Sequence, residues 1–189
     1  IWGYAYVFAD HPDKPFDGET GGELLETSVT YNVFEAFRKA RSELVITSPY
    51  MVPGPDGMQM LAELAQRKVH LVAMTNSLGA TDEPVVHTGY RRYRPEMLKL
   101  GMNLYELSPQ KVSRSLRLGR FSTSIGRLHA KSAVVDKERV FIGSMNFDPR
   151  SDQHNTEMGL FIQSPQLAAQ VLKLVEVIRQ QGAYKVTLA

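Results

Sequence analysis

LVITSPYMVPGPDGMQMLAELAQRKVHLVAMTNS, residues Leu44 to Ser77, places two short apolar runs on either side of a helical period. Leu44-Val45-Ile46-Thr47 is β-rich and closes on Ser48-Pro49-Tyr50-Met51-Val52-Pro53-Gly54, a stretch punctuated by proline and glycine. Met58 to Arg67 reads as helix, and Val69 to Met74 as a second strand ending at Thr75-Asn76-Ser77. Short strands that are apolar throughout are buried on both faces, and an intervening helix makes their connection a crossover. The same plan extends in both directions. Upstream, Gly21-Gly22 precede Leu25, Val29, Val33, Phe34 and Phe37, one face of a helix ending near Arg41. Downstream, a helix from Val85 to Leu100 stops at Gly101, and Asn103 to Leu107 is the next strand.

The last third changes character. Leu128 to Val135 and Arg139 to Gly143 are strand-like around the turn Asp136-Lys137-Glu138, which predicts a hairpin, and Thr156 to Gln163 reads as another strand. Ser164-Pro165 is an N-cap and first-turn proline for a helix with Leu167, Val171, Leu174, Val175 and Ile178 inward, and Gly182 stands where a C-cap glycine belongs. The expectation is one α/β domain over residues 1–189, with a mixed, largely parallel sheet flanked by helices on both faces. No linker or low-complexity tract divides it.

Composition removes several function classes. The absence of cysteine excludes disulfides, thiolate metal sites and a cysteine nucleophile. Lys+Arg 22 against Asp+Glu 20 leaves a net charge of +2, too small to argue by itself for nucleic acid. No apolar run approaches a membrane span, and the N-terminus lacks a signal-peptide plan. The chain starts at Ile1 rather than Met, so it is expected to be a piece of a longer protein.

The chemistry concentrates in His129-Ala-Lys131-Ser-Ala-Val-Val-Asp136, Gly143-Ser144-Met-Asn146 and Asn155-Thr-Glu157. Residues two apart on a strand share a face, so His129 projects with Lys131, and Asn155 with Glu157. An ammonium beside an imidazole suits a phosphate. The imidazole attacks phosphorus through one nitrogen if a carboxylate holds a proton on the other, and Glu157 is the candidate carboxylate. Ser144 and Asn146 are short donors for non-bridging oxygens. Asp136 falls on the strand face opposite His129, which gives it a structural role pinning the turn or a neighbouring backbone. His87 and His154 lack metal-ligand partners at useful spacing, and no metal or cofactor is called for.

His129-x-Lys131-x4-Asp136-x6-Gly143-Ser144-x-Asn146 resembles the HKD motif of the phospholipase D superfamily. At ordinary residue frequencies the full pattern arises by chance on the order of once in a hundred thousand chains. Ser48-Pro49-Tyr50, Thr75-Asn76-Ser77 with Thr81-Asp82, His87-Thr-Gly-Tyr90-Arg-Arg-Tyr93-Arg94 and Leu104-Tyr105-Glu106-Leu107 are similar to the second half of bacterial cardiolipin synthases, most of all the C type.

The resemblance implies phosphodiester exchange through a phosphohistidine, with two HKD histidines, one the nucleophile and the other the acid for the leaving group. None of the other four histidines has a lysine two residues on. The second motif therefore belongs either to an absent N-terminal half or to a second copy of the chain, and the internal start favours the former. His129, Lys131, Asp136, Ser144, Asn146 and Glu157 form the expected catalytic set. Arg127 and Arg120, in a basic stretch before the motif, and Tyr90 and Arg94 are the expected substrate-binding residues. The implied setting is a bacterial enzyme peripheral to the inner membrane, this fragment itself soluble, acting on phosphatidylglycerol or a similar phospholipid. A single-motif homodimeric nuclease and an inactive module docking on anionic lipid are the alternatives.

Overall fold

The computed structural model describes residues 2–14, 28–114 and 126–188. Among these, eight strands form one sheet: β1 (Tyr4–Ala9), β2 (Glu43–Thr47), β3 (His70–Asn76), β4 (Asn103–Leu107), β5 (Ser132–Val135), β6 (Arg139–Gly143), β7 (Met158–Gln163) and β8 (Ala183–Lys185). Six helices accompany them: α1 (Val29–Arg38), α2 (Gly54–Gln66), α3 (Pro84–Lys99), α4 (Pro109–Arg114), α5 (Pro149–Gln153) and α6 (Pro165–Gly182). Spatial order is β1-β7-β6-β5-β2-β3-β4-β8.

Sequence periodicity accounts for the central layer. In β2, Leu44 and Ile46 join one core with Val33 and Phe37 of α1 and Met60, Leu61 and Leu64 of α2. Val45, between them, joins the other core with Ala168 and Val175 of α6. Each fully buried side chain of this kind contributes about 1.5–3 kcal/mol, so helices on both faces are what such strands require. Ser28 caps α1 by accepting the Tyr31 N–H at 3.1 Å, and Ser164 caps α6 by accepting that of Leu167 at 3.3 Å. At the end of α3, Gly101 adopts φ +83° as its stop position requires.

The expectation of a largely parallel sheet is corrected. The crossover helices make β2–β3 and β3–β4 parallel, but β1–β7, β2–β5, β4–β8, β5–β6 and β6–β7 are antiparallel, so the sheet is mixed and mostly antiparallel. Gly182 ends α6 as its last helical residue, with Ala183 extended after it (φ −125°), rather than serving as a left-handed cap. Leu174 is 48% exposed, on the outer side of α6. The ladder of β5 starts at Ser132 rather than Leu128, and that of β7 at Met158 rather than Thr156. Leu25 and the Gly21-Gly22 start lie outside the described residues, as does Arg120 of the basic stretch.

The two late ladder starts matter for function. Thr47 at the end of β2 pairs with Ser132 at the start of β5, Ser132 with Ile142 near the end of β6, and Gly143 with Gly159 near the start of β7. All the motif segments except Asp136 thus leave the sheet at one edge, where the parallel strands end and open α/β sheets place ligands.

Candidate active site

The lead-in to His129 is held by a clamp rather than by a ladder. The Asn76 side chain accepts the Leu128 N–H at 2.9 Å and donates to the Leu128 carbonyl at 3.0 Å. Both groups are buried, so one amide satisfies a donor and an acceptor that no strand pairs. Three residues later the Gly143 N–H reaches the Lys131 carbonyl at 3.1 Å, joining the His-Lys segment to the Gly-Ser-Asn segment. The ring of His129 is exposed at the sheet edge, and no hydrogen bond holds it among the described residues. Lys131 Nζ turns back to the His129 carbonyl at 3.0 Å. Burial holds the Lys131 ammonium below its ordinary value, against the nearby carboxylates of Glu157, Asp82 and Asp148, which favour its charge.

Glycine at 143 is dictated by space: a Cβ there would lie 2.7 Å from both the Met158 carbonyl oxygen and the Phe141 ring. The close approach lets the Ser144 N–H donate to the Met158 carbonyl at 2.9 Å, while the Ser144 hydroxyl accepts the Met158 N–H at 3.0 Å and donates to the Glu157 carboxylate. Glu157, 6% exposed, also receives Asn155 Nδ2 at 3.3 Å, so the sharing of one side by Asn155 and Glu157 is realised. Its expected hydrogen bond to the His129 ring is absent among the described residues, because its oxygens face Ser144 and Asn155 instead. Asn146 donates its backbone N–H to Ser151 Oγ at 3.0 Å, and its buried side-chain oxygen meets no donor among the described residues. The Phe147 N–H donates to Ser48 Oγ at 3.1 Å, and the Val52 N–H to the Phe147 carbonyl at 2.7 Å, fixing the segment after Asn146 on the loop that follows β2.

Asp136 lies at the far end of the β5–β6 hairpin, in a turn where it and Lys137 have φ of +53° and +60°. Its carboxylate accepts backbone N–H groups of Arg41 (3.0 Å), Ser42 (2.8 Å) and Glu43 (3.1 Å) and the Ser42 hydroxyl (3.0 Å). Burial pushes its titration up, but the donors from Ser42, Glu43 and Arg41 outweigh this and hold the carboxyl below its ordinary value.

The expected substrate residues are dispersed. Tyr90 is 2% exposed and donates its hydroxyl to Glu106 at 3.0 Å. Arg94 pairs with the same Glu106 oxygen at 3.0 Å. In the structure both are engaged with Glu106 within the fold, Tyr90 buried and Arg94 part-exposed. Arg127 is exposed one residue before the clamped Leu128, and Arg120 lies outside the described residues. Among the described residues, no group of three or more His, Asp or Glu side chains is arranged to hold a metal ion. No described helix is long and apolar enough to cross a membrane.

Sequence inspection noted Ser48, Thr75 and Asn76 only as parts of resembling segments and gave no role to Asp10, Lys14 or Ser151. Asp10 and Lys14 stand four residues apart, but the contacts that tie these residues to the site, Asp10 to Glu157, Lys14 to Ser151, Ser48 to Phe147 and Asn76 to Leu128, join residues far apart in the chain, where no local spacing reveals them.

A family model described as "Cardiolipin synthase, PLD-like domain" matches residues 33–178. The chain is 36% identical to cardiolipin synthase C of Escherichia coli over its whole length, and spans 39% of that protein's length. It is 28% identical to a cardiolipin synthase A of Buchnera aphidicola over 76% of the chain and 26% of that protein. In fold it is similar to Nuc, a phospholipase D family member of Salmonella typhimurium, with TM-score 0.67 and 18% identity over 99% of this chain and 100% of the other. A phosphatidylserine synthase from Haemophilus influenzae gives TM-score 0.66 and 18% identity over 96% of this chain and 40% of the other. The chain belongs to the family of cardiolipin synthase, phospholipase D-like domains.

Proposed function

We propose that this chain is the C-terminal catalytic half of a two-motif phosphatidyltransferase that makes cardiolipin at a bacterial membrane surface. The observation that carries the reading is the gathering of His129, Lys131, Ser144, Asn146 and Glu157 at one sheet edge of a cardiolipin-synthase-family domain. The 39% share of the E. coli relative supports the assignment to a half.

In this mechanism one HKD histidine attacks the phosphorus of phosphatidylglycerol or a similar lipid. A phosphorus–nitrogen bond forms, the phosphorus–oxygen bond to the leaving alcohol breaks, and the other histidine gives that oxygen a proton. The hydroxyl of the acceptor lipid then attacks phosphorus, passes its proton to the same second histidine and releases the first. His129 takes one of these two roles. Lys131, kept at the rim by partial burial, and the Asn146 side-chain amide stabilise the charge on the non-bridging oxygens, while Ser144, whose one hydroxyl proton goes to Glu157, braces the Gly-Ser-Asn segment beside them. Glu157 holds the Ser144 hydroxyl in place. The exposure of the His129 ring fits a site completed by a second half.

The test is His129→Ala in the intact protein, assayed on phosphatidylglycerol vesicles. Cardiolipin formation should fall at least about 100-fold, the lower end of what a positioned acid or base supplies. Undiminished activity would sink the assignment. If His129 is the nucleophile, a denaturing quench at alkaline pH with phosphorus-labelled lipid should leave a base-stable, acid-labile label on the protein that the variant lacks.

A further inference from the structure

A second polar network lies directly beneath the reacting edge. The Asp10 side chain is 0% exposed and that of Lys14 is 9% exposed, and Lys14 Nζ meets Asp10 Oδ2 at 2.6 Å. The remaining capacity of the Asp10 carboxylate is spent on backbone: Oδ1 accepts the Val29 N–H at 2.7 Å and Oδ2 the Glu157 N–H at 2.9 Å. The Asp10 N–H in turn donates to the Glu157 carbonyl at 2.8 Å. Asp10 therefore grips Glu157 on both sides of its Cα. Lys14 Nζ also donates to the Ser151 carbonyl at 2.9 Å, and the Ser151 hydroxyl accepts the Asn146 N–H at 3.0 Å.

We infer that the buried Asp10–Lys14 pair is a positioning device for the reaction, setting Glu157, and through it Ser144, in register with Asn146. The inference rests on the reading of the Ser144–Asn146 segment, braced by Glu157, as the part of the site that meets the phosphate. Neither Asp10 nor Lys14 touches substrate in it. Stability alone is a poor reason for such a pair, since the cost of desolvating two charges roughly offsets their attraction. What the pair supplies is direction. One carboxylate ties the first turn of α1 to the segment entering β7, and one ammonium ties both to Ser151 of α5. The motif's two arms leave from different strands, β6 and β7, and share the Ser144–Glu157 hydrogen bond, so their relative placement depends on what fixes them from below.

The test uses Asp10→Asn, Lys14→Met and the double variant in the intact protein. Thermal midpoint is measured beside kcat and KM on phosphatidylglycerol vesicles. Each single change leaves an uncompensated buried charge or an amine-to-amide clash, and lowers the midpoint. The double variant removes both charges and should regain much of the midpoint. It should not regain kcat: one amide oxygen cannot serve both Val29 and Glu157, and Ser151 has lost its ammonium. The expected kcat is on the order of 10- to 100-fold below the parent with KM little changed. A double variant whose kcat returns along with its midpoint would overturn the inference and leave a structural ion pair. If a single variant does not fold, the double variant against the parent decides. A His129→Ala protein that remains active would instead overturn the site reading itself.

Discussion

Replacing Asp136 separates the parts of the HKD motif that react from the part that only folds. Its carboxylate serves three backbone N–H groups and a hydroxyl at the start of β2, a whole hairpin length from His129. A carboxylate satisfying several orphan N–H groups resembles a helix N-cap, worth about 1–2 kcal/mol. Asp136→Asn tolerates the left-handed φ of +53° and keeps one acceptor, so its expected cost is about 1 kcal/mol. Asp136→Ala adds the backbone penalty of a left-handed alanine, about 1–2 kcal/mol more. For a chain of this size 1 kcal/mol corresponds to about 2–4 °C in Tm. The alanine variant should therefore melt about 5–10 °C lower. Because the folded-state titration is depressed, the unfolded chain binds the proton more readily. The stabilisation is then complete above the unfolded carboxyl value near pH 4 and fades as pH falls through the lower folded value. Differential scanning calorimetry between pH 7 and pH 3 should show the gap between parent and Asp136→Asn closing toward acid. Below the transition, kcat of both variants should stay within about twofold of the parent, since neither touches the reacting edge. A variant with unchanged Tm and a tenfold lower kcat would refute this placement of Asp136.

Glu157→Gln should lower kcat on the order of 10-fold by loosening Ser144. Glu157 is also the foremost carboxylate opposing the burial of Lys131, so its loss should move the alkaline limb of the kcat–pH profile to lower pH. A limb that stays in place or moves up would contradict the proximity of the two charges. Asn76→Ala strands the buried N–H and carbonyl of Leu128, costing about 2–4 kcal/mol in urea unfolding and lowering kcat with it. Tyr90→Phe removes a hydroxyl bonded to Glu106 and should cost about 1 kcal/mol without changing KM for lipid; a raised KM would restore Tyr90 to the substrate path.

The difference between the expected and observed sheet lies in what local pattern encodes. A helix between two wholly apolar strands forces a parallel neighbour, so β2, β3 and β4 were legible from Leu44, Val69 and Asn103 onward. A three-residue turn forces an antiparallel one, so β5 and β6 were legible around Asp136. The direction of β5 against β2 depends on how the chain returns from α4, and nothing in either strand records that. The strand β1 pairs with β7 across some 150 residues and is exposed on nearly all of its length, so it shows no buried face to read. Helices α4 and α5 have six and five residues, too few for a helical period to stand out.

At the site, residue type and spacing located the groups but not where each side chain points. Period-two placement correctly put Asn155 beside Glu157, since that depends only on an extended backbone. Whether the Glu157 carboxylate turns toward His129 or Ser144 depends on the approach of two strands at Gly143 and Gly159, a tertiary fact. The same holds for Tyr90 and Arg94. Their aromatic-basic pattern suits a phosphate entrance and a helix with a charged outer face nearly alike, and what positions the two side chains is Glu106, which β4 brings opposite α3. Once a carboxylate is placed within 3.0 Å of both, leaving it unpaired in a partly buried site would cost more than either side chain gains by turning outward. Among the described residues the Lys131 ammonium meets a backbone carbonyl and no carboxylate partner, which leaves it the part-exposed cation at this strand edge that the proposed reading assigns to the phosphate.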